Sequence, residues 1–202
     1  MRLMPLPENG LRLLLDYDEA SMLDQLVNQL IQLLKSYSGT ALDPDPLFAS
    51  LEVGGSEHAP EDPALARLFP DAYAEGAGDS AGDAAQFRRV TEQGLLNRKL
   101  QDAMQVTSAL GVGGDLPDET APVEVDISPA SMGAWVRTVT AVRLAIAARI
   151  GLESPEDHAR LVGDETTRGT VLVFDWLAAI LESVLAIMQA LDDDAVQDPA
   201  DS

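Results

Sequence analysis

Cysteine is absent from the 202 residues. That excludes disulfides, thiolate nucleophiles, cysteine metal sites and any thiol redox switch inside the chain. Histidine occurs twice, as His58 in an acidic stretch and His158 beside Asp157. Neither has a second ligand at a metal-binding spacing, so no metal site is expected. His158 reads as a surface residue rather than a general base, because no nucleophile is identifiable. There is no Gly-x-Ser-x-Gly elbow, no phosphate-cradling loop and no dinucleotide fingerprint; the glycines from Gly111 to Gly114 lack the Lys and the following helix that a phosphate loop requires. No cofactor is expected on these grounds. No basic amino terminus leads into an apolar run with a cleavage site, which gives a cytoplasmic expectation.

Positive charge is scarce as well: 13 basic residues face 34 acidic ones, for a net charge of −21. Such a field repels phosphates over most of the surface, so direct nucleic-acid binding would be weak and strongly salt-sensitive. The acids concentrate in residues 43 to 62, 71 to 83, 115 to 126 and 192 to 201. Acidic loops that keep an Ala-rich helical protein soluble account for this pattern.

What is present is apolar content of 46% at a mean hydropathy near zero, which fits one globular core. The pattern predicts a mainly α fold, a bundle of about four long helices plus short ones. It also predicts a small amino-terminal β-hairpin, Leu3 to Leu6 with Leu11 to Leu15 across Asn9-Gly10. Val123 to Ile127 alternates apolar and acidic residues and reads as a third strand added to that hairpin. From Glu19 to Tyr37, apolar residues recur at spacings of three and four, with Gly39 as the expected stop. The loop from 43 to 62 has a weak helical tendency at Leu47 to Leu51. Asp62-Pro63 should cap a short helix ended by Pro70, and residues 75 to 82 read as a mobile surface loop.

Asp83 is the expected cap of a long helix to about Leu110, with an Arg88–Glu92 ion pair on it. Ser128-Pro129 opens another, faced by Met132, Trp135, Val139 and Val142 and stopped by Gly151; Ser154-Pro155 opens a short one carrying His158 and Leu161. The last helix, about Thr167 to Leu191, is apolar almost all round apart from a stripe of Asp175, Glu182 and Gln189. It is expected to be buried on most sides as a central helix, with a homodimer contact as a second use. A membrane span is rejected for it, because two carboxylates near mid-span would cost roughly 2.5 to 3.5 kcal/mol each. The domain reading is a single helical domain over 1–191 and a disordered acidic tail over 192–202.

Two segments reverse the sign of the chain. Residues 84 to 102 hold Arg88, Arg89, Arg98 and Lys99 against Glu92 and Asp102, and residues 128 to 152 hold Arg137, Arg143 and Arg149 with no acid. Steps of six turn about 240° on a helix, so these last three arginines point three ways and should tie different neighbours. Arg88 and Arg89 follow a loop near a helix start, where cations oppose the dipole. They are candidates for a partner contact, or for an internal ion pair with Asp71.

The segments DPALARLFPDAY, AAQFRRVTEQGLLNRKL, GAWVRTVTAVRLAIAARIGL and VFDWLAAILESVL together resemble an actinobacterial family described as a domain of unknown function, over nearly the whole chain. The family includes oxidative-stress transcriptional regulators and is typically encoded near a protease adaptor and cysteine-biosynthesis genes; the resemblance implies action through a sigma factor. The chain departs from the pattern at Gln86, where Glu is expected before Phe-Arg-Arg, and in having no cysteine, so disulfide-based sensing cannot operate here.

The resulting expectation is a non-enzymatic cytoplasmic regulator that binds a protein partner, such as a sigma factor or other transcription machinery, through a face carrying Asp71, Tyr73, Arg88 and Arg89. The alternatives are a small-molecule-binding or enzymatic helical domain with a pocket built from Asp175, Glu182 and the arginines, or a structural homodimer through residues 167–191.

Overall fold

The computed structural model describes residues 1–6, 9–41, 60–70, 80–112 and 121–197. Three antiparallel strands form one small sheet: β1 (Arg2–Leu6), β2 (Gly10–Leu15) and β3 (Val123–Ile127), with β2 in the middle. The hairpin is as expected, but Gly10 is already paired, opposite Leu6, and Asn9 takes the left-handed conformation before it at φ 63°. Leu11, Leu13 and Leu15 point into the core beside Val123, Val125 and Ile127, while Arg12, Glu124 and Asp126 share the outer face. There the Arg12 guanidinium donates to both Asp126 oxygens, at 2.6 and 2.7 Å, and lies 3.1 Å from Glu124. Alternation of apolar and charged residues thus sets the register of a strand pair separated by most of the chain.

The helices are α1 (Tyr17–Ala41), α2 (Pro63–Leu68), α3 (Ser80–Leu110), α4 (Pro129–Ile150), α5 (Pro155–Gly163) and α6 (Arg168–Gln197). Glu19 reaches back to accept the Asp16 N–H at 3.0 Å, which fixes the start of α1 as in a capping box. Leu23, Val27, Leu30, Leu34 and Tyr37 line its buried face. Asp62 caps α2 by accepting from the N–H groups of Ala64 (2.9 Å) and Leu65 (3.1 Å), and Ser154 caps α5 by accepting from Asp157 (3.1 Å). Gly151 ends α4 at φ 67°; its N–H and that of Leu152 both turn back to the Ala147 carbonyl.

Three expected boundaries move. Gly39 does not close α1, which continues to Ala41; a glycine within a helix costs only about 1 kcal/mol against alanine, so it does not compel a stop. The third helix begins at Ser80 instead of Asp83, taking in Gly82 from the expected loop. The last helix runs to Gln197 through Asp192, Asp193 and Asp194, past its expected end at Leu191. The expectations for 43 to 59, including Leu47 to Leu51, for 75 to 79 and for 198–202 lie outside the described residues.

The largest correction concerns which helix is central. It is α4 that packs against α1, α2, α3 and α6, burying Met132, Ala134, Trp135, Thr138, Val139, Ala141, Val142 and Ala147. Its small residues let neighbours approach from several sides, and Trp135 is the largest fully buried side chain. By contrast α6 lies along one flank, against α4 and α5. By length and composition, Arg168–Ala190 could cross a membrane, yet only 28% of its most apolar window is buried. Val171, Leu177, Ile180 and Val184 are buried, whereas Leu172 and Leu185 are exposed along with Asp175, Ala179, Glu182 and Ala186. The hydropathy comes from Val, Leu and Ile residues spread around the helix, of which only those facing α4 and α5 find cover.

Replacing Asp62 by Ala removes both cap bonds of α2 and its contact with Arg149. We expect a loss of about 1 kcal/mol in urea unfolding, with most of it retained by Asp62→Asn, which keeps a capping oxygen.

Candidate partner-binding surface

Where α3 and α4 lie side by side, one carboxylate organises the cations. Asp102 is 8% exposed and accepts from the Arg137 guanidinium at 2.6 Å (Nε) and 2.8 Å (Nη2), a two-pronged bond that raises the Arg137 pKa against the opposing effect of burial. Gly133 stands one turn before Arg137, and a Cβ there would lie 3.0 Å from Arg137 Nη1. The missing side chain lets the guanidinium lie back along α4.

Lys99 is half-buried on α3. Burial pushes its pKa down, and Asp102 partly restores it. Its ammonium lies 5.8 Å from the centre of the Phe69 ring, which packs at 5.2 Å against Tyr37. The Tyr37 hydroxyl in turn donates to Glu92, a carboxylate buried at 2% exposure. Arg98, next in the chain, is exposed and has no ion pair with any described residue.

Arg98, Lys99, Asp102 and Arg137 rim an open groove of about 390 Å³ between α3 and α4, with Leu95, Val136, Ala141 and Leu144 as its apolar lining. Leu95 is 47% exposed. Three cations and one carboxylate, in a chain of net charge −21, make this a local reversal of the surface field. A second groove of about 320 Å³ between α1 and α4 is lined by Leu26, Leu30, Leu33, Val142 and Ile146, with Arg149 at its edge.

The residues expected to form a partner face are not assembled in view. Arg88 and Arg89 fall on α3, but their side chains, like Asp71 and Tyr73 altogether, lie outside the described residues. The expected Arg88–Glu92 pair therefore also falls outside them. The divergence of the α4 arginines holds: Arg137 binds Asp102, Arg149 binds Asp62 at 3.1 Å, and Arg143 stacks 4.2 Å from the centre of the Phe174 ring.

His158 does more than its surface reading predicted. Its Nε2 lies 3.0 Å from both Asp175 oxygens, tying α5 to α6. Neighbouring Asp157 bonds instead to Arg160 and Ser154, which hold its pKa down at about 2. Asp175 and Glu182, expected to build a pocket with the arginines, are exposed on α6 and line neither of these two grooves. Sequence inspection missed the Asp102–Arg137 and His158–Asp175 pairs because both depend on how two helices align. It did single out the charge reversal that contains Arg98, Lys99 and Arg137.

Comparison with known proteins gives a consistent result. A family model described as a domain of unknown function (DUF2017) matches residues 1–188. The putative oxidative stress regulator AosR of Mycobacterium leprae is 28% identical over 181 residues, covering 84% of this chain and 79% of that protein. The oxidative stress regulator AosR of Mycobacterium tuberculosis (strain H37Rv) is 28% identical over 175 residues, covering 84% and 78%. No solved structure matches.

Asp102→Ala should cost about 1.5 to 3 kcal/mol in chemical denaturation, the range for bonds to a charged group. Because Asp102 is the charge that raises the Lys99 pKa, the same variant should titrate Lys99 at lower pH than wild type does, as followed by NMR of the Lys99 side chain. An unchanged Lys99 titration would remove Asp102 from the electrostatics of the groove.

Proposed function

The chain belongs to the DUF2017 family, and on that footing we propose that it is a cytoplasmic, non-enzymatic regulator of the oxidative-stress response that works through protein contacts. The partner is a sigma factor or another component of the transcription machinery. Support for the stress assignment comes from the relatives named oxidative stress regulators. Support for action by contact comes chiefly from the α3–α4 groove, where exposed Leu95 lies beside Arg98 and Lys99. An apolar trough rimmed by charges is suited to a protein segment: apolar anchors supply affinity, and rim charges select the partner.

Charge argues for an indirect effect on transcription. At −21, the surface field opposes DNA, and a few grooved cations would have to overcome all of it. Nor can a thiol of this chain receive an oxidising signal, since there is none. The signal reaches the chain through its partner or through that partner's availability.

A homodimer along α6 is a second reading, favoured by Leu172 at 57% and Leu185 at 37% exposure. One experiment separates the two. Affinity capture from the native host, at low and moderate salt, compares wild type with Arg98→Glu/Lys99→Glu and with Leu172→Glu. The groove reading expects the first variant to lose a transcription component by at least tenfold while Leu172→Glu retains it. Retention by the groove variant, with a dimer in sedimentation that Leu172→Glu dissociates, would transfer the function to α6.

A further inference from the structure

We propose that the α3–α4 groove receives an amphipathic helix of the partner whose flanks are acidic, with its apolar residues set between Leu95 and Leu144 and its carboxylates on Arg98 and Lys99. This rests on the protein-contact reading above and specifies the chemistry of the occupant.

Dimensions come first. The groove is lined from Leu95 to Asp102 on α3 and from Val136 to Leu144 on α4. At about 1.5 Å per residue that is roughly 12 Å, or about two turns of a docked helix. Such a length takes anchors at positions i, i+3 or i+4, and i+7 on the incoming helix. The lining suits them, since Leu95 is 47% exposed and Val136 and Leu144 are partly buried.

Charge then selects the occupant. Both oxygens of Asp102 are engaged by Arg137. Arg98 has no carboxylate among the described residues, and Lys99 faces the Phe69 ring while burial disfavours its charge. A purely apolar occupant would cover both cations without pairing them, and burying an unpaired charge is strongly unfavourable. A basic occupant would add like-charge repulsion. An occupant carrying Asp or Glu one turn on either side of its anchors pairs both cations as it excludes water. The acidic surface elsewhere on the chain repels such a helix at long range, so contact in the groove must supply the selectivity.

The test is selection without a preset sequence. A display library of stable helices with randomised surface positions is panned against the full chain, and the recovered helices are measured by fluorescence anisotropy. The expected winners carry Leu, Met or Phe at helical spacing beside Asp or Glu, and they bind Arg98→Glu/Lys99→Glu at least tenfold more weakly than wild type. Leu172→Glu should bind them as wild type does. Winners without acids, winners indifferent to the groove variant, or no winners would each overturn the proposal. So would a groove filled by a second copy: a dimer broken singly by Arg98→Glu and by Glu182→Arg and restored when the two variants are mixed. Host partners that still depend on Arg98 and Lys99, beside a library that gives no acidic winners, would leave the protein-contact reading standing and remove only the acidic helix.

Discussion

The Asp102–Arg137 pair is the interaction from which the useful surface of this protein follows. A carboxylate at 8% exposure is costly unless its lone pairs are filled, and the guanidinium fills them from two directions. Because each partner sits on a different helix, the pair fixes α3 against α4 in one alignment. That alignment sets Leu95 across from Leu144 and leaves Arg98 and Lys99 at the rim.

Scarcity of cations makes this arrangement informative. Arg12 bridges β2 and β3 through Asp126 and Glu124, Arg67 holds Glu153, Arg149 holds the cap residue of α2, and Arg160 holds Asp157. Arg143 lies on the Phe174 ring and Arg168 donates to the Val162 carbonyl. Apart from Arg160, whose pair lies within α5, these arginines tie one element to another, each worth little alone at an exposed site. Arg98 and Lys99 are adjacent cations in one groove, and among the described residues that line it Asp102, already doubly bonded, is the one carboxylate.

Local signals were legible in the sequence and pairings across the fold were not. The hairpin, the Asp62 and Ser154 caps and the Gly151 stop each rest on residues within a few positions of one another, and each is found. The six-residue spacing of Arg137, Arg143 and Arg149 likewise sufficed to foresee three separate partners. The burial of α6 was misjudged because periodicity says which residues are apolar, not how many neighbours are available to cover them; α4, with its smaller side chains, took the central place. Nothing local distinguishes Lys99 over Phe69, or His158 against Asp175, from an ordinary solvated side chain.

Lys99 connects the stability of the fold to the groove proposed as a partner site. Its pKa lies below the ordinary lysine value because burial disfavours the ammonium. A lysine whose folded pKa is lowered below its unfolded value destabilises the fold at neutral pH, and that penalty is relieved as the pH rises through the folded pKa. Beside Lys99, Leu95 leaves apolar area open to water, and Arg98 is exposed with no ion pair to any described residue. All three line one groove, and the proposed occupant with apolar and acidic groups would cover Leu95 and pair both cations at once. Binding of that kind stabilises the folded chain by RT ln(1 + L/Kd), which rises with the partner's concentration L, so under the proposed reading a chain without cysteine is governed by how much partner is available.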